Sequence, residues 1–155
     1  MVSSTRDPLS HLLALAVAWA AEQESLILAE GIPLGDAQLG DARTLGVAEP
    51  DRVRLLHVPA IPAPDDSVLA AAAEAAGLVF PTASGLTLGY GIYLRADRAD
   101  DRRLLAHELV HTCQCERMGG IEPFLRQYLL ECLTVGYAES PMEREAIRVA
   151  AGLVD

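Results

Sequence analysis

Apolar positions along the chain fall into blocks whose period changes from helical to extended and back. Residues 8–30 are rich in Leu and Ala and stop at Gly31, which predicts a helix with a glycine end. Residues 34–50 mix Gly and Asp with scattered apolar positions and predict a loop, with a short strand near residues 44–47. Residues 52–58 are Leu- and Val-rich and predict a strand, which Pro59, Pro62 and Pro64 end. Asp65, Asp66 and Ser67 offer N-caps to a short helix through Ala76, closed by Gly77.

Residues 86–95 carry the clearest strand signal. Leu86, Leu88, Tyr90, Ile92 and Leu94 alternate strictly and predict one face; Thr87, Gly89, Gly91, Tyr93 and Arg95 predict the other. The glycines leave that second face bare enough for another backbone to approach. Asp100 and Asp101 then favour the positive end of a helix reaching about Met118, where Gly119 and Gly120 stop it. Pro123 suits the first turn of a further helix through about Val135, and Ser140 and Pro141 open a last one reaching about Ala151. The order predicts an α+β fold: a small antiparallel or mixed sheet beside a helical half, all within one domain spanning residues 1–155.

Composition narrows the function. Apolar residues make up 51% of the chain but aromatic ones only 5%, so the core is built mainly from Leu, Ala and Val, and the chain does not read as disordered. A net charge of −10 repels phosphate backbones and argues against nucleic acid as a partner. The apolar run at residues 12–21 is shorter than the roughly 20 residues a bilayer requires and lacks the layout of a secretory signal. The expectation is a cytoplasmic protein without a membrane partner, with signal-less export left open. Cys113, Cys115 and Cys132 are too few and wrongly spaced for a disulfide framework or a zinc ribbon, and predict buried free thiols.

The chemistry concentrates at His107-Glu108-Leu109-Val110-His111. Two histidines four apart on a helix project from one face, one turn apart. Both imidazoles can then reach a single tetrahedral zinc at about 2.0–2.1 Å. Glu108, offset by about 100° around the helix, flanks such a metal and can take a proton from the attacking water. The competing reading is a solvated helix face. A third ligand must come from elsewhere: Glu116, Glu122, Glu131, Glu139, Glu143 and Glu145 all lie downstream, with Cys115 as a further thiol candidate. Glu143, in the first turn of the last helix, is favoured. Ser140-Pro141-Met142-Glu143 is equally a capping box, in which Glu143 would bond the Ser140 amide.

The run His107 to His111 followed by Glu143-Arg144-Glu145-Ala146 resembles the gluzincin branch of zinc metallopeptidases. The stretch 107–146 resembles more closely a group of small bacterial metallopeptidase-like domains. Their pattern, His-Glu-x-x-His-x-x-Gln, then Tyr, then Pro-x-Glu-x-Glu-Ala, is supplied here by Gln114, Tyr137, Pro141, Glu143, Glu145 and Ala146. Related domains occur in proteins linked to contractile injection systems.

The resemblance implies a zinc ion on His107, His111 and Glu143, Glu108 as general base, and a peptide or protein substrate paired with the edge strand at residues 86–94. It also makes Tyr137 a candidate oxyanion stabiliser, set against simple packing on the motif helix. One departure stands out. Gluzincins often carry an Asp four residues after the ligand Glu, to orient the first His, and Ile147 occupies that position. An inactive zinc-binding module of a larger assembly is therefore the alternative to an active peptidase. His11 and His57 are read as lone histidines on a helix and a strand without a functional role; Arg144 and Arg148 are read as surface charges, with carboxylate binding near the site as the alternative for Arg144.

Overall fold

A computed structural model of the chain describes residues 7–78 and 80–154. Six helices, α1 (Pro8–Glu30), α2 (Asp36–Leu45), α3 (Ser67–Ala75), α4 (Arg102–Met118), α5 (Ile121–Val135) and α6 (Pro141–Val154), accompany four strands, β1 (Ile32–Pro33), β2 (Arg54–Val58), β3 (Gly85–Leu88) and β4 (Gly91–Arg95). The strands form one sheet in the order β1-β2-β4-β3. β2 and β4 run parallel, with Leu55 opposite Ile92, while β1 and β3 flank them antiparallel. The fold is α+β with a small mixed sheet, as the order of periodicities predicts.

The sheet is covered on both faces rather than lying beside a helical half. On one face Leu55, Ile92 and Leu94 pack with Ala42 of α2 and with Leu105, Leu109 and Cys113 of α4. On the other, Tyr93 and Leu88 pack with Ala20 and Ile27 of α1. By length and composition α1 is long and apolar enough to cross a membrane, which the shorter run at residues 12–21 understates. In this fold it lies on the sheet through Ala20, Ile27 and Trp19, and leaves Leu9, Leu26 and Leu28 exposed.

Two expectations are corrected. The loop predicted over residues 34–50 contains α2, and no strand forms at residues 44–47. Gly and Asp content hid an apolar stripe of Leu39, Ala42 and Leu45 at helical spacing; the Gln38 side chain caps the start, accepting from the Gly35 amide at 2.8 Å. Gly46, at φ 102°, closes the helix in the left-handed region that favours glycine.

The single strand predicted over residues 86–95 is a hairpin. Gly89, at φ 65°, begins a two-residue turn, and β3 folds back on β4 with Thr87 opposite Ile92 and Gly85 opposite Leu94. Alternation read through the turn therefore mixes the faces. Gly85, Thr87, Ile92 and Leu94 share the α4 side, while Leu86, Leu88, Gly91 and Tyr93 share the α1 side. What fills the bare position at Gly91 is a side chain and not the backbone expected: Ile27 of α1 packs where a Cβ of Gly91 would stand.

Candidate metal centre

Helix α4 starts where the Asp101 side chain accepts from the Leu104 amide at 3.0 Å and ends at Gly119, φ 95°. Its interior is almost wholly buried, from Leu105 to Cys115, because β3, α2, α5 and α6 pack around it. That burial carries His111 and Glu108 inside, each 5% exposed. His107 and His111 meet edge to face one turn apart, with ring centroids 4.9 Å from each other and ring planes at 78°.

Glu143, on the first turn of α6, faces both rings. Its Oε2 lies 3.2 Å from His107 Nε2, and its Oε1 lies 2.7 Å from His111 Nε2. Among the described residues His107, His111 and Glu143 form the group that could hold a metal ion, their ligand atoms all within 4.8 Å of one another. Ligand atoms around a tetrahedral zinc stand about 3.3–3.4 Å apart, so two imidazole nitrogens and a carboxylate at this spacing fit such an ion with small adjustments. Burial alone would raise the Glu143 carboxyl, but hydrogen bonds and charge from His107 and His111 hold it far below the usual carboxylate range. His111 is reciprocally affected. Burial disfavours its charge, yet the Glu143 carboxylate pushes its pKa up to about 9.

The capping-box alternative is half present. The Glu143 amide donates to Ser140 Oγ at a long 3.5 Å, but the Glu143 carboxylate is turned to the histidines. The Ser140 amide bonds the Tyr137 carbonyl instead. Glu131 takes over the start of α6: one of its oxygens accepts from Ser140 Oγ at 2.7 Å and from the Met142 amide at 2.9 Å. Glu116 is occupied far from the site by the amides of Ala48 and Glu49 and by the Tyr90 hydroxyl. Glu122 and Glu139 pair with Arg126 and Arg144 at the surface. Cys115 packs with Phe124 and Met142, and burial pushes its thiol up to about 11. The three cysteines are free and buried.

Glu108 points away from solvent toward β3. Thr87 Oγ1 lies 3.0 Å from its Oε1 and 3.0 Å from its main-chain oxygen. Burial is the main influence on its carboxyl and raises it, with Glu143 adding to the rise and both histidines opposing it. A raised carboxyl in a cleft is what a general base working near neutrality requires.

Tyr137 lines the same cleft and is half exposed. Burial and the carboxylates of Glu143 and Glu108 raise its hydroxyl. Tyr128 of α5 was not anticipated. Its hydroxyl donates to Glu143 Oε1 at 3.1 Å, and its ring stacks on Phe124 one turn away. The Phe-Tyr pair at spacing four was the available signal. Ile147 is 58% exposed, which leaves it no part in orienting His107. His11 and His57 are exposed on α1 and β2, away from the site.

From the metal-binding group a cavity of about 590 Å³ runs beneath β3 to α1, α3 and α5, where Ala16, Trp19, Leu69 and Leu129 line it. That volume falls within the range of small-molecule and side-chain sites.

A family model described as the eCIS core domain matches residues 65–119. The span runs from α3 through α4, contains His107, Glu108 and His111, and stops short of Glu143. The match supports a link to extracellular contractile injection systems. No curated protein and no solved structure matches the chain.

Proposed function

We propose that this protein is a zinc-dependent hydrolase that cleaves peptide bonds, acting in the setting of a contractile injection system. The observation that carries the reading is the placement of Glu108: a buried carboxyl bonded to Thr87, beside a group of two histidines and a carboxylate that could hold a metal ion.

His107, His111 and Glu143 would hold the zinc, which supplies Lewis acidity toward the scissile carbonyl and toward water. Glu108 takes a proton from the water that attacks the carbonyl carbon, and returns it to the amine as the carbon–nitrogen bond breaks. Tyr137, which lines the cleft, would donate to the developing oxyanion. β3, at the end of the sheet order beside α4, offers its outer edge to an extended peptide. The apolar cavity takes a bulky apolar residue next to the bond cleaved.

The second reading, a metal-holding module without catalysis, is favoured by Ile147, which stands where gluzincins often carry the Asp that orients the first histidine. Glu108→Gln separates the two. The catalytic reading expects unchanged zinc content and peptide cleavage reduced by about 10²–10⁴-fold. A zinc-loaded parent that cleaves nothing in a broad peptide library decides for the module.

A further inference from the structure

We propose that Gln114 is a positioning residue of the metal centre. It holds His111 in the tautomer whose Nε2 can bind a cation, and it ties the start of α6 to α4 so that Glu143 meets that nitrogen. This rests on the metal-centre reading above.

Three contacts orient the Gln114 amide. Its Nε2 lies 3.0 Å from the Met142 carbonyl oxygen and 3.0 Å from Glu145 Oε1. A peptide carbonyl and an ionised carboxylate only accept hydrogen bonds, so the NH₂ end must face them. Arg117 pairs with the same carboxylate, its guanidinium 2.6 Å from the same oxygen. With the NH₂ end committed, Gln114 Oε1 faces His111 and lies 2.8 Å from its Nδ1. An amide oxygen also only accepts, so Nδ1 carries a proton. In this structure Nε2 shares a proton with the Glu143 carboxylate; when a cation displaces that proton, the imidazole still protonated at Nδ1 turns its Nε2 lone pair to the metal. Nε2 is the atom directed at Glu143, 2.7 Å from its Oε1.

The same amide acts on the second helix. Met142 precedes Glu143, and its carbonyl is bonded from α4 through Gln114. The first turn of α6 is therefore registered against α4 at the residue next to the third ligand. Gln114 is 1% exposed, so water does not compete for these contacts.

The test uses the full chain stripped of metal and titrated with Zn²⁺ against a competing chelator. Gln114→Met keeps length and bulk but removes both ends of the amide. It is expected to bind Zn²⁺ about 10–100-fold more weakly than the parent, the usual effect of losing a partner behind a ligand. In the ¹⁵N spectrum of the zinc-loaded parent His111 Nδ1 is protonated with a slowly exchanging proton; in Gln114→Met that proton exchanges faster. Glu145→Ala, at a partly exposed position, removes one of the two acceptors that orient the amide and is expected to shift both readouts the same way by less. It decides the matter if Gln114→Met does not fold. A parent that binds Zn²⁺ while the folded variants match it in affinity and proton exchange overturns the role of Gln114 and leaves the metal centre standing. A parent that does not bind Zn²⁺ overturns the metal centre, and this proposal with it.

Discussion

A Cβ added to Gly85 would stand 3.0 Å from Cγ and 3.1 Å from Cδ of Glu108, so strand β3 touches the proposed base through the side chain it lacks. Glu108 has little room to yield, being buried and bonded to Thr87. Gly85→Ala should move its carboxylate by a few tenths of an ångström or more while leaving the zinc ligands on α4 and α6 in place. Misplacement of a reacting group by about 1 Å can cost roughly 10²-fold in rate. The expected outcome is peptide cleavage reduced about 10–100-fold with zinc content unchanged; full activity in Gly85→Ala would mean that Glu108 is not the base.

Glu143→Gln tests the third ligand. Glu131, not Glu143, secures the start of α6 by accepting from Ser140 and the Met142 amide, so the helix should survive the change. Zinc affinity should fall by more than the about 10–100-fold typical of losing a residue behind a ligand. Equal affinity in chelator competition, with unfolding midpoints matching the parent, would remove Glu143 from the site.

Ala16→Phe places a ring from α1 into the apolar end of the cavity. For peptides with a bulky apolar residue beside the cleaved bond, KM should rise about 10-fold, since small changes of shape in an apolar pocket are worth that much. Peptides with Gly or Ala there should be cleaved as before. Parallel effects on both series would show that the cavity does not select the substrate.

Asp101 links acid stability to the motif helix. Its carboxyl is held below the usual range, chiefly by Arg98 and then by the Leu104 amide at the helix start. A carboxylate with a lowered folded pKa adds stability that is present above its unfolded value, about 3.9, and is lost as pH falls through the folded value. Asp101→Ala should therefore cost about 1 kcal/mol at neutral pH. Asp101→Asn should keep most of the cap but flatten the loss between pH 5 and 3, on the order of the pH range where Asp titrates. Denaturant unfolding at both pH values measures this; an Ala variant as stable as the parent would exclude the cap.

Periodicity and local chemistry, which need no partner, were legible in the chain alone. The bounds of α1 and α4, the caps Asp101 and Gly119, and the pairing of His107 with His111 on one helix face follow from spacing within a single element. The choice of Glu143 over five other glutamates rested on its place in the first turn of the last helix and then on resemblance, and the capping box was a true rival. Tertiary packing decided it, because Glu131 supplies the cap and leaves the Glu143 carboxylate to the histidines. The hairpin at Gly89 stayed hidden because a two-residue turn preserves alternation in sequence while exchanging faces in space. Helix α2 stayed hidden because its stripe has meaning only against the α4 core it covers. Tyr128, Thr87, Gly85 and the bond from Gln114 to Met142 join residues 15 to 28 positions apart. Such contacts leave no periodic trace, since their geometry is set by how α5, α6 and β3 close around one buried helix.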